Sequence, residues 1–194
     1  MKKIMFNDKN GLTQAVLEGR KTQTRRIIPK DFFSLTWDKR DDTLVYENSM
    51  GDFIDIRNSK YALCKAGEIV AVAQSYRDCG GVNEEGIPMW EIISSKVGGT
   101  NAGWSNKMYV KPELMPHYVI ITAVSVERLR DISDVDCMAE GINYYEQEGF
   151  SWCSTGKLFD TPREAYAALI DKVSGKGTWE RNPYVFVYDF ELVK

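Results

Sequence analysis

The stretch Gly19-Arg20-Lys21-Thr22-Gln23-Thr24-Arg25-Arg26 sets four cations and two hydroxyls within eight residues. From Arg20 on to Lys30 the run holds five basic side chains and no acidic one, in a 194-residue chain of formal net charge -3. Just upstream, residues 10–18 read as a short helix, with Asn10 as its cap and Leu12, Ala15 and Val16 as a buried stripe. Gly19 stands at the helix stop, where glycine takes a positive φ at no steric cost. From Thr22 to Ile28, β-branched residues and alternation predict a strand. Such a strand places Thr22, Thr24 and Arg26 on one face and Gln23 and Arg25 on the other, with Lys21 at its mouth.

A lysine and a threonine three residues apart at a helix-to-strand corner suit two kinds of chemistry. They can grip a phosphate or a base edge. Alternatively, the amine can deprotonate the hydroxyl and make Thr24 a nucleophile. The second role requires that the lysine pKa, ~10.4 when free, be lowered by burial or by cations such as Arg20 and Arg25. A solvated basic turn that caps the helix and pairs with acids elsewhere is the purely structural alternative.

The corner resembles the Gly-Arg-Lys-Thr-x-Thr-Arg signature of the ASCH domain family, PUA-like β-barrels associated with RNA. Gly67-Glu68-Ile69-Val70-Ala71-Val72 is similar to the family's Gly-Asp/Glu turn and hydrophobic strand. Ser125-Val126-Glu127-Arg128-Leu129, followed by Asp131-Ile132-Ser133, resembles the barrel strand and helix start of its phage-type members. Residues 182–190 resemble their closing strand. The resemblance spans most of the chain and is thinnest over residues 77–106. It implies an α+β fold, a PUA-like mixed β-barrel with a few peripheral helices. It also implies one domain over 1–194, with a long Gly-rich insert at about 77–106.

The same resemblance implies a protein that binds RNA or a modified nucleoside in a basic pocket at Gly19–Arg26. Arg20, Thr22, Arg25 and Arg26 would then meet phosphates or base edges, and Tyr76 would stack on a base. A small bacterial member of the wider family is an N4-acetylcytidine amidohydrolase that uses a lysine, a threonine and a glutamate. The first two match Lys21 and Thr24, and the third, in the helix after the central barrel strand, falls at Glu140. This implies an alternative activity, deacetylation of N4-acetylcytidine or a related acylated base. A third reading is a phage-encoded module that binds a host protein. Phage-type relatives often carry Arg-Glu-Thr-Trp where this chain has Ala73-Gln74-Ser75-Tyr76, so an amide replaces a carboxylate there.

Hydrophobic residues at 43% and charged residues at 27% are ordinary for a soluble globular chain. No run approaches the roughly 18 apolar residues of a membrane helix, and residues 1–8 lack the apolar region of a signal peptide. A cytoplasmic protein without membrane contact is therefore expected. A pI near 5.4 argues against broad phosphate neutralisation but is compatible with a small basic pocket. Cys64, Cys79, Cys137 and Cys153 form no Cys-x-x-Cys pair, and His117 is the single histidine. No metal or cofactor is expected on that spacing. His117, beside Pro116, reads as a structural loop residue. Nothing in the sequence specifies an oligomeric state.

Elsewhere, Thr43–Tyr46 and Phe53–Ile56 predict a small hairpin, preceded by a charged turn at 38–42. Residues 69–74 predict a central strand. Six glycines between Gly80 and Gly103 predict a long loop anchored by Trp90 and Trp104. Strands are expected at Asn106–Val110, Tyr118–Leu129 and Tyr184–Leu192. Ser133 and Thr161 are expected caps of two helices, stopped by Gly141 and Gly175. Glu140 falls in the last turn of the first, where the helix dipole disfavours an acid. A surface ion pair with a Lys or Arg is the structural reading of that carboxylate.

Overall fold

Long runs of alternating β-branched and aromatic residues dominate the chain's second half, and they form the sheet's two longest strands. The computed structural model describes all residues except 30–34, 39–42, 146–147, 154–156 and 194. In chain order its elements are β1 (Lys3–Ile4), α1 (Leu12–Leu17), β2 (Gln23–Ile27), β3 (Leu35–Asp38), β4 (Thr43–Glu47), β5 (Phe53–Asp55), β6 (Ile69–Val72), α2 (Met89–Val97), β7 (Tyr118–Arg128), α3 (Asp134–Ala139), β8 (Asn143–Tyr145), β9 (Gly149–Ser151), α4 (Pro162–Ser174), α5 (Thr178–Arg181) and β10 (Tyr184–Val193), with short 3-10 turns between them.

The architecture is mixed α+β, built on a five-stranded sheet of order β1-β6-β7-β10-β2. β1 lies parallel to β6, and the remaining neighbours are antiparallel. β7 and β10 pair from Tyr184↔Arg128 to Val193↔Tyr118, with a bulge between Asp189 and Phe190. Such a bulge bends and twists the sheet. The strand order is open, and no ladder closes it into a barrel among the described residues. The two ends nevertheless approach each other, because Arg26 of β2 donates from Nη2 to the Met5 carbonyl, just beyond β1, at 2.5 Å.

The core lies between this curled sheet, α1 and α4. Val185, Phe186, Val187, Tyr188 and Phe190 of β10 are buried with Val119 and Ile121 of β7, Val70 and Val72 of β6, and Leu169 of α4. Each large apolar side chain so enclosed contributes about 1.5–3 kcal/mol relative to exposure. In α4, Thr161 accepts from the Glu164 N–H and Pro162 occupies the first turn, as expected of that cap. Its buried stripe is Ala165, Tyr166, Leu169 and Ile170, while Val173 is 40% exposed.

Several expectations need correction. Asn10 does not cap α1. Asn7 takes the Asn10 N–H one turn earlier, and the αL residue Gly11 (φ 70°) starts the helix instead. Asn106–Val110 is not a strand, because the Asn106 side chain accepts from Met108 N and winds Lys107–Tyr109 into a 3-10 turn. The region 77–106 is not only a loop. It contains α2, whose Ile93 is buried in a second apolar cluster with Tyr76, Cys79 and Met115. Trp104 packs on that cluster as an anchor, whereas Trp90 is 55% exposed. The hairpin of β4 and β5 is present and gains β3 as a third strand. Of the charged turn at 38–42, only Asp38 falls within the described residues. No helix among them is long and apolar enough to cross a membrane.

Candidate active site

The corner after α1 is fixed by its backbone before any side chain acts. The N–H groups of Arg20 and Lys21 both donate to Ala15 O, and Gly19 takes φ 73°. Thr22 N donates to Ala139 O at 2.9 Å, tying the corner to the end of α3. Ser133 caps α3 by accepting from Asp136 N, and Gly141, at φ 103°, lets the chain leave after Glu140. Two segments far apart in sequence are thereby joined, and Lys21 and Glu140 meet.

Lys21 is 2% exposed and Glu140 5%. Lys21 Nζ donates to Glu140 Oε2 at 2.5 Å, to Gln23 O at 2.7 Å and to Glu140 O at 2.8 Å. The last contact places a cation on the C-terminus of α3, where the dipole favours it, and so offsets the poor position of the Glu140 carboxylate. The other carboxylate oxygen, Oε1, accepts from Arg25 N at 2.6 Å and, at 3.4 Å each, from Arg25 Nη1 and the Tyr166 hydroxyl. Burial lowers the Lys21 pKa below its ordinary value, against the opposing pull of Glu140. Burial and the neighbouring Glu140 hold the Tyr166 phenol well above its ordinary value, so it remains a donor.

These groups border a cleft of about 280 Å³ lined by Lys21, Thr24, Arg26 and Glu140 on its polar side. Phe6, Leu12, Leu169 and Ile170 contribute its apolar walls. Thr24 is 5% exposed, and its hydroxyl hydrogen bonds to no described group. In particular, it is not among the three acceptors of Lys21. Arg26 lies two residues further along the same strand face, as the alternation predicts. Among the described residues, no group of three His, Cys, Asp or Glu side chains is placed to hold a metal ion.

The remaining expected site residues are placed differently. Arg20 is exposed and pairs with Glu18 at 2.5 Å, and Thr22 is exposed; neither lines the cleft. Arg25 borders it, but its side chain is wholly buried and engaged by Glu127 at 2.7 Å, Asp136 at 3.5 Å and Glu140 at 3.4 Å. Burial opposes its charge, yet the carboxylates of Glu140 and Glu127 outweigh that and hold its pKa above the ordinary value. Tyr76 is 0% exposed, lies edge-on to Trp104 and accepts from Lys111 N, so it presents no face to a base. Phe6 and Tyr166 are cleft residues that the sequence did not single out. The one available signal was a hydroxyl on the buried stripe of α4. Compared with protein-family models, with curated proteins and with solved structures, the chain matches none.

Proposed function

We propose that this chain is an ASCH-type, PUA-like protein whose cleft hydrolyses the amide of a small acylated base, N4-acetylcytidine or a close relative. The observation that carries this reading is the buried Lys21–Glu140 pair in the wall of the cleft, beside the unpaired Thr24 hydroxyl. Between such desolvated partners the ion pair and its neutral form, amine plus carboxylic acid, differ by one proton moved along the 2.5 Å contact. The neutral form holds a base and an acid at the same time. No proton has to be exchanged with solvent to reach it.

Substrate entry must turn the Lys21 amine from one of its three acceptors towards Thr24. Lys21 then takes the hydroxyl proton as Thr24 Oγ1 attacks the acyl carbon. Glu140 gives its proton to the departing amine nitrogen, leaving an acyl-threonine ester and the free base. Water attacks that ester and yields a proton to Glu140. The Thr24 oxygen leaves the acyl carbon and recovers its proton from Lys21, so the pair returns to its starting state. Tyr166 and Arg25, bonded to Oε1, leave Oε2 as the oxygen that carries the mobile proton.

Support for the barrel reading comes from the curl that brings Arg26 of β2 to Met5 beside β1. A nucleic-acid surface has less support, because Arg20 and Arg25 are already paired with carboxylates and Tyr76 is enclosed. The test is chromatographic: purified protein is incubated with N4-acetylcytidine and cytidine is quantified. Wild type should release cytidine, Thr24→Val should release none, and Thr24→Ser should retain part of the rate. Absence of cytidine at high enzyme concentration rejects this substrate.

A further inference from the structure

The mechanism above leaves one charged group of the cleft unused. Arg26 is half-buried, and burial, its largest influence, lowers its pKa. One nitrogen, Nη2, donates to Met5 O, and the guanidinium carbon lies 5.8 Å from the centre of the Phe6 ring. Nε is enclosed and finds no acceptor. No carboxylate of the described residues lies within ion-pair distance of Arg26, whereas Arg20 and Lys21 have one each and Arg25 three. The Glu140 carboxylate offsets that burial only from beyond ion-pair distance, so the guanidinium is left without a counter-charge in contact. An enclosed donor without an acceptor calls for a partner that the protein does not itself supply.

The position of Arg26 narrows what that partner is. Residues two apart on one strand face are separated by roughly 6.5–7 Å along the strand. An acyl group fits that span, its carbon about 3 Å from the Thr24 hydroxyl and its oxygen about 3 Å from a guanidinium N–H. A guanidinium also matches the planar, two-oxygen geometry of a carboxylate. We propose that Arg26 is the oxyanion-binding residue of the cleft. It holds the oxygen of an acyl carbonyl placed at Thr24 and the carboxylate released on hydrolysis. Short-chain carboxylates, acetate first, are therefore ligands of this site. The catalytic half of the proposal rests on the amidohydrolase reading, whereas carboxylate binding does not.

The experiment follows the arginine Nε–H resonances of ¹⁵N-labelled protein during titration with sodium acetate, against sodium chloride at equal ionic strength. One such resonance, missing from Arg26→Lys, should move saturably with acetate and not with chloride. In turnover of N4-acetylcytidine, Arg26→Gln should lose about 10²–10³-fold in kcat with little change in KM, and Arg26→Lys should retain more. Thermal melts of both variants establish that they are folded. Absence of a saturable shift, or wild-type kcat in Arg26→Gln, overturns the proposal. A saturable shift in a wild type that turns over no amide removes the amidohydrolase reading while the anion site stands.

Discussion

At Lys21 three acceptors take the three protons of one ammonium, and two of those acceptors belong to Glu140. Removing Glu140 leaves Lys21 buried without a carboxylate, at a cost of about 3–5 kcal/mol, and removing Lys21 takes from Glu140 its nearer cation and leaves it Arg25 at 3.4 Å. Lys21→Met and Glu140→Gln should each be strongly destabilising in urea unfolding. The double variant should cost well under the sum of the two, because neither charge is then left alone. Additivity within about 0.5 kcal/mol would show that the pair does not act as a unit. The lysine and threonine were legible in the sequence, since their spacing at a helix-to-strand corner is local. Glu140 joined them in the sequence only through the family resemblance, because 119 residues separate it from Lys21 and it is the tie between Thr22 and Ala139 that draws the two segments together. What the sequence did offer was an acid in the wrong half of a helix dipole, a local oddity resolved by a distant cation. Arg20 shows the opposite case, a cation of the motif itself that is spent on Glu18, two residues before it.

Elements with their own end signals were read well, and those defined by packing were not. Ser133 and Thr161 cap their helices through their own side chains, so α3 and α4 could be placed from a few residues each. By contrast, α2 begins at Pro88 without a side-chain cap and sits among glycines, so its neighbours in sequence argued for a loop. What holds it is the burial of Ile93 and the contact of Trp104 with Tyr76, which no local pattern encodes. Gly103 is the tightest point of this packing, for a Cβ there would overlap the Tyr76 ring, with Cδ2 at 2.9 Å. Gly103→Ala should therefore cost about 1–3 kcal/mol through forced displacement of that ring. Hydrogen exchange should accelerate in residues 77–110, while amides of β2 and α3 keep their protection. Equal acceleration at the Lys21 corner would mean that the second cluster and the cleft open as one unit.

Across the whole molecule, the four thiols report how tightly the chain is closed. Burial pushes the Cys64 and Cys79 thiols up to about 11 and the Cys137 thiol up to about 12. Cys153 is half-buried. The thiolate is the reactive form, and a thiol with a pKa near 11 is ionised at pH 8 to only about one part in a thousand. The folded state therefore holds protons that the unfolded chain releases above pH about 8.5, so these thiols withdraw stability as pH rises from there. Cys64 and Cys137 lie in the main core and Cys79 in the second cluster, so together they sample both packing units. Treatment of the native protein with an aromatic disulfide at pH 8 should release one equivalent of thiol quickly, from Cys153. The other three should follow at a rate that rises with urea, and Cys79 should precede Cys64 and Cys137 in Gly103→Ala. Fast reaction of two or more thiols in native buffer would contradict this closure, and site identification by peptide mass would show which cluster is open.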